Sequence, residues 1–503
     1  HSRIIMPQNI KFQKIMIMKK GLIFVSVLLA VLSQLVTGCD GMDENYATGS
    51  NYNLRFSTDT VSFDTIFSTI GSTTKQFMVY NIFDKPLNIQ SIELAQGEKK
   101  GFRINVDGLK GTNFQDVEVR PNDSLYVFIE VTVNPNGTNQ PLLIEDSVIF
   151  TTNGVRQAVK LQAFGQDVVL CKGGTILAKD TLLTAKQPYL VYDSLVIAKE
   201  ATVTLEQGTR IYMHDKANLI VRGTLIAKGT RTAPIIIRGD RLDKLLDNLP
   251  YDLIPDQWGG IYFAPTSYGN ILDHVVVRNG SSGITMTQAD PEKSKLIIGN
   301  SQITNSDGYL FSAVNCNIEA YNTEFSNSGE AVVMLIGGRY SFTHCTLANT
   351  FAFGAHTVPT LILSNNLTNA ENKVVLYPLQ KADFQNCIID GNLSTGELAL
   401  YYQQGTSQDA FSYQFTNCLI KSKEEANVHF TDILWGTSPD YRLSGEAGDY
   451  RYDFRPDSTS IVRGKAARSF SVKYPLDRFG VNRLNDRDGP DIGAYEYIRE
   501  ANE

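Results

Sequence analysis

The chain has few of the residues from which compact reactive centres are built. Its 503 residues include six cysteines, six histidines and two tryptophans. No cysteine stands in a Cys-x-x-Cys pair or at Cys/His metal spacing, so neither a zinc site nor a dithiol centre is expected. No Asp/Glu run recurs at a fixed interval that would hold calcium, and no cofactor is implied. Long heptad patterns are missing, which removes helical bundles. A basic excess is missing too: 46 Lys and Arg face 53 Asp and Glu, a formal net charge of −7. That balance lacks the electropositive footprint of a nucleic-acid binder and would repel acidic polysaccharides.

One long apolar run stands near the start. Met18-Lys19-Lys20 leads into Gly21 to Val36, the build of a bacterial signal peptide, so residues 1–17 read as an upstream extension. The run is short for a membrane span, which is the alternative reading. Removing the segment takes away Arg3, Lys11, Lys14, Lys19 and Lys20 and no acid, moving the net charge from −7 to −12.

What the sequence does have is a repeat. An apolar residue, any residue, then Asn or His, then a small or apolar residue recurs at His274, Asn300, Asn322, His344, Asn365, Asn386 and Asn417. A second echo follows five residues later at Asn279, Asn305, Asn327 and Asn349. Alternating apolar residues in a unit of about 22, without helical spacing, suit one coil of a parallel β-solenoid. Strands in such coils stack about 4.8 Å apart, so like residues lie on like. The Asn/His positions are therefore expected to be a structural ladder. Cys345, Cys387 and Cys418 share one repeat position and read as small buried residues; free thiols are favoured, although an oxidising compartment would permit a bridge.

Short alternating stretches with turn signals between them fill Leu54 to Val168, the pattern of a β-sandwich. The fold class expected is all-β: a right-handed parallel β-helix of roughly ten coils preceded by an immunoglobulin-like sandwich. The boundaries are 18–38 signal peptide, 39–52 tether, 53–168 sandwich, 169–440 β-helix with a junction over 169–200, and 441–503 a cap on the second open end. The sandwich and junction would cover the first.

Several segments resemble known families. Leu35-Val36-Thr37-Gly38-Cys39 resembles the lipobox of bacterial lipoproteins, which implies acylation of Cys39. Asp40, Asp43 and Glu44 resemble the export signal that sends Bacteroidetes lipoproteins to the outer face of the outer membrane. Tyr80-Asn81 with Pro86-Leu87, then Pro121, Phe128 and Pro135, then Val148-Ile149-Phe150-Thr151 and Leu161 resemble MSP/Hydin-like immunoglobulin domains. Gly208-Thr209, Gly223-Thr224, Pro234-Ile235 and Trp258-Gly259-Gly260 resemble the entry coils of right-handed β-helix surface proteins. Asp491-Ile492-Gly493-Ala494-Tyr495-Glu496-Tyr497 resembles the ending of many Bacteroidetes β-helix lipoproteins, although Arg463 replaces an acidic residue of that pattern.

Parallel β-helices also include polysaccharide lyases and glycosidases. The phrases NTD, DD, GHG and RIK of those families are absent, and no paired carboxylates recur on neighbouring coils as an inverting mechanism needs. His274 and His344 sit at ladder positions, Arg278 and His356 are ungrouped, and no catalytic residue is assigned. Insertions at Asp240–Gln257, Thr287–Lys295 and Gly391–Ser412 should emerge as flank loops. The first holds a short amphipathic helix candidate at Arg241–Asp247. Trp258, Tyr251, Tyr401, Tyr402 and Gln403 supply rings and amides that suit a neutral sugar, or else simply cover the flank. The pattern Asp-Ser/Thr-aliphatic, as at Asp123-Ser124-Leu125 and Asp193-Ser194-Leu195, resembles the Bacteroidetes O-glycosylation sequon and equally suits strand entry after an Asx turn. The expected role is non-catalytic: a lipid-anchored surface protein offering a rigid face to glycans or envelope proteins. A polysaccharide lyase or glycoside hydrolase working in a flank groove is the alternative.

Overall fold

A computed structural model describes residues 46–246, 248–404, 411–445, 450–485 and 488–499. The lipidation and export positions Cys39, Asp40, Asp43 and Glu44 lie outside the described residues.

The N-terminal part forms two five-stranded sheets. Every strand expected from alternation is present, including Lys75–Tyr80, Leu87–Leu94, Phe102–Val106 and Ser124–Val131. Their alternate residues are buried because a period of two places every second side chain on one face. Phe77 and Phe150, from different sheets, meet edge-to-face at 6.1 Å.

From Val169 the chain winds through three parallel sheets of eleven, nine and ten strands. The architecture is a parallel β-helix, and parallel crossovers favour the right-handed sense. The stretch 169–200 is no junction: Val169–Cys171, Thr175–Leu177 and Thr181–Leu183 already pair in parallel with the following coil. Inside, identical residues stack. The rings of Phe342, Phe384, Phe415 and Phe430 follow one another at 4.9, 4.9 and 5.2 Å.

The ladder is a turn device. His274, Asn300, Asn322, His344, Asn386 and Asn417 all take φ between 45 and 54°, a left-handed conformation in which Asn and His are enriched. Each turns the chain from the ten-stranded to the eleven-stranded sheet. Each also donates its backbone N–H to the next coil, as Asn322 N does to Thr343 O at 3.1 Å and His344 N to Gln385 O at 2.9 Å. One rung was missed in the sequence: Asp432, with φ 54°, follows Phe430–Thr431 in the same way.

Asn365 is not a rung. It follows Leu361–Ser364, a strand of the nine-stranded sheet, and Gly338–Thr343 pairs directly with Leu379–Gln385, so His344 stacks on Asn386. The two apparent steps of 21 residues are one coil of 42, enlarged by a hairpin, Asn366–Thr368 with Val374–Leu376. Chance spacing imitated the period.

The residue after each rung forms a second column. Ser301, Thr323, Cys345, Cys387 and Cys418 each donate to the carbonyl two residues back, at 2.6, 2.8, 3.6, 3.3 and 3.4 Å. The cysteines are thus hydroxyl equivalents, and all five described cysteines are free thiols. Burial pushes Cys345 and Cys418 well above the usual thiol value, which keeps them unreactive.

The end cap expected at 441–503 is instead a cover along the flank. Val462, Ala466 and Ile492 pack on Ile388 and Leu419, and Phe454, Ala494 and Tyr495 pack on Ala348. All three covered residues belong to the eleven-stranded sheet. The ladder explains the position, because its amides keep bonding capacity that stacking leaves unused. Asn322 donates to Asn300 Oδ1 (3.1 Å) but also to Leu476 O (2.8 Å). Asn386 holds Ala467 by two bonds, 3.0 and 2.8 Å.

Candidate functional site

With the eleven-stranded sheet covered, the nine-stranded sheet is the contrasting flank. Its strands place Leu195, Leu219, Ile261, Ile284, Phe311, Val333 and Leu361 in register, all buried in the core. The next residue of each strand must point the other way. That outward column runs Val196, Ile220, Tyr262, Thr285, Ser312, Met334, Ile362 and Ala399. Its middle is hydroxylic, its ends are aliphatic, and none of these side chains is charged.

An open depression of about 330 Å³ lies on this face, lined by Asn218, Ile220, Gly260, Tyr262, Ser282 and Thr285. The Trp-Gly-Gly phrase builds it. Trp258 is fully buried in the core and donates from Nε1 to Arg278 O at 2.8 Å. Gly260 takes φ +137°, and a Cβ there would stand 2.6 Å from Ser282 O, so that position admits no larger residue without strain. Tyr262 Oη and Thr287 Oγ1 are 3.1 Å apart, and Ser282 Oγ donates to Gly259 O at 3.1 Å.

The five residues singled out for ligand binding do not assemble. Trp258 is a core residue, a correction shown by its full burial just before the strand Gly260–Phe263 begins. Tyr251 lies on the Asp240–Gln257 loop under the Arg241 guanidinium, 3.8 Å from its ring centre. That loop carries a β-hairpin, Lys244–Leu246 with Leu249–Pro250, where a helix was expected. Two arginines pin it: Arg238 and Arg278 reach the Asp252 carboxylate at 2.5 and 2.8 Å. Tyr401, Tyr402 and Gln403 do stay together. They close the ninth strand of the open sheet, inside a stretch that had read as an insertion. Tyr401 and Tyr402 are 53% and 55% exposed. Asn365 positions them, accepting from Gln403 N and donating to Gln403 O, both at 2.8 Å. Burial, then Glu330 and Tyr401, raise the Tyr309 hydroxyl above its usual value.

Sequence reasoning missed Tyr262, Thr285 and Ser312. The usable signal was the paired phrase Gly260-Ile261-Tyr262-Phe263 and Gly283-Ile284-Thr285-Met286, which marks one strand position in successive coils.

His344 is held in a structural role, whereas His214 is partly exposed with Nδ1 2.7 Å from the Asp240 carboxylate. His344 Nε2 lies 2.9 Å from Ser471 Oγ and 3.0 Å from Asn386 Nδ2, so the proton sits on Nδ1, 3.3 Å from Gly493 O. Burial, and then Arg483, hold its pKa well below the usual imidazole value. This Ser–His pair is fully buried and has no carboxylate behind it. His356 lies 3.6 Å from Glu397, whose carboxylate is buried and accepts from Thr360 N and Oγ1 at 3.1 and 2.8 Å. Among the described residues, no group of three or more His, Cys, Asp or Glu is placed to hold a metal.

No family model matches the chain. A 100-residue stretch is 33% identical to Protein bark beetle of Drosophila melanogaster, covering 20% of this chain and 3% of that protein. Among solved structures, the catalytic domain of a GH87 alpha-1,3-glucanase in complex with nigerose is similar over 73% of this chain and 88% of that one, at TM-score 0.22 and 8% identity. An ASH/PapD-like domain of human CEP192 covers 23% of this chain and 85% of its own, at TM-score 0.16 and 10% identity. At these scores and coverages no activity carries over to this chain.

Proposed function

We propose that this protein is a lipid-anchored lipoprotein of the bacterial outer membrane that binds neutral glycan, without cleaving it, on the outer face of its nine-stranded sheet. The observation that carries the reading is the uncharged outward column whose partly exposed hydroxyls, Tyr262 and Thr285, line an open depression. A sugar ring offers an apolar C–H face and a rim of hydroxyls, and such a column matches both. Coils about 4.8 Å apart repeat the same contact along the axis, so an extended chain gains from many weak interactions. Cleavage would need an acid and a base on the face, and none of the column's side chains is a carboxylate. The acyl group on Cys39 would hold this face outside the cell.

The test is binding of the mature chain to a panel of neutral and acidic oligosaccharides, with reducing-end release measured in parallel. Binding of neutral members, weakened about tenfold or more in Tyr262→Ala and less so in a Tyr401→Ala/Tyr402→Ala double variant, supports the reading. Unchanged binding in both variants, or release of new reducing ends, would overturn it. Separately, Cys39→Ser should move the protein from the membrane fraction to the soluble one.

A further inference from the structure

We infer that the N-terminal sandwich carries a second, independent saccharide site on the sheet that contains Lys75–Tyr80, Phe102–Val106 and Ser124–Val131. A cavity of about 500 Å³ opens on that sheet, lined by Asn105, Phe128, Arg103, Glu130, Lys110 and Glu98 among others. Volumes of this order suit a small ligand.

The strand register explains why these residues meet. Asn105 pairs with Lys110 on one side and Phe128 on the other, and Phe128 pairs with Gln76. All four belong to the outward-facing set, because Ile104, Val106, Val127 and Ile129 are buried on the other face. A phenyl ring is therefore flanked across the strands by two amides. Along its own strand it lies beside Tyr126, 6.0 Å away and near parallel, just outside the cavity lining. The adjoining row pairs Arg103 with Glu130, and Glu130 also accepts from Thr74 Oγ1 at 2.9 Å.

The charges select the ligand class. Arg103 and Lys110 balance Glu98 and Glu130 in the lining, so an anion meets two carboxylates and a cation meets two positive groups. A neutral molecule with many hydroxyls meets donors and acceptors without that conflict, and its C–H face suits the Phe128 ring. Asn105 adds a second observation: its Oδ1 is buried without a hydrogen-bond partner. Such an atom is costly to leave unpaired.

The experiment uses the mature chain in a background carrying Tyr262→Ala, Tyr401→Ala and Tyr402→Ala, so that residual binding reports the sandwich alone. The probes are neutral gluco-, xylo- and manno-hexaoses, a galacturonate hexamer and a neutral hexapeptide, followed by calorimetry and saturation-transfer NMR. The expected result is residual binding of at least one neutral hexaose, weakened about tenfold or more by Phe128→Ala and also by Asn105→Leu, with unchanged melting temperatures. Both side chains face outward, so both variants should fold. No neutral hexaose binding in that background overturns the inference, and leaves the solenoid reading standing if the unmodified chain binds. Tighter binding of the galacturonate or the peptide, or binding unaffected by both sandwich variants, overturns it as well.

Discussion

Two flanks of one solenoid have opposite fates. On the eleven-stranded sheet the outward residues Glu324, Ser326, Thr346 and Ala348 are buried beneath the C-terminal segment. On the nine-stranded sheet Tyr262, Thr285 and Met334 stay partly exposed. The covered flank is specific because its buried charged groups are paired. Glu324 accepts from Gln302 Nε2 at 2.9 Å, from Ser326 Oγ at 2.7 Å and from Tyr495 Oη. Arg483, fully buried, pairs with Glu496 and donates to Asn322 Oδ1 and Gly493 O, both at 3.1 Å. The Asp-Ile-Gly-Ala-Tyr-Glu-Tyr ending thus works as a clasp: Asp491 accepts from Gly464 N at 2.7 Å and Tyr497 N at 2.7 Å. Where bonding capacity is matched residue by residue a flank is closed, and where it is left as scattered hydroxyls the flank stays available to a ligand.

The largest break in this contrast should come from Arg483→Ala. It leaves Glu496 buried without its cation and is expected to cost about 3–5 kcal/mol, visible as a fall in melting temperature and as faster amide exchange over 462–497. Next is Asn386→Ala, which removes both bonds to Ala467 and places a Cβ-branching-free but amide-less residue at φ 54°; a cost of about 1–3 kcal/mol is expected in a denaturant titration.

A smaller, pH-dependent effect should come from His344. Its folded pKa lies well below the 6.5 of a free imidazole, so the unfolded chain binds the proton more readily. The contribution is present in full above pH 6.5 and declines as the pH falls below it, by at most about 1.4 kcal/mol per pH unit. His344→Asn, which copies the other rungs, should flatten that part of the stability profile; an unchanged slope would contradict the assignment. The smallest stability effect should be that of Tyr262→Ala on the open flank, within about 0.5 kcal/mol, although glycan binding to that flank is weakened.

Much of the solenoid was legible in the sequence because a rung needs a local property, tolerance of positive φ, and its recurrence at coil length exposes the stacking. The same reasoning was deceived at Asn365, which has the right spacing and neighbours and yet ends a strand of another sheet. Asp432 escaped for the opposite reason: it performs the turn with a residue outside the search. The candidate site was less legible. Trp258 and Tyr262 are four residues apart in one phrase, and strand parity would put both on one face; the strand begins only at Gly260, whose φ of +137° breaks the alternation and leaves Trp258 in the core and Tyr262 at the surface. An aromatic residue in a motif carries no mark of which side it faces until the register is known.

By itself, then, the order of residues determined the all-β class, the coil length, the buried thiol column and the turns, since all of these depend on neighbours in the chain or on its own repetition. Only the tertiary structure decided which flank would be sealed. The contacts that seal it join residues such as Asn322 and Leu476, 154 positions apart, and no periodicity in the chain encodes a pairing between a repeat and a segment that does not repeat.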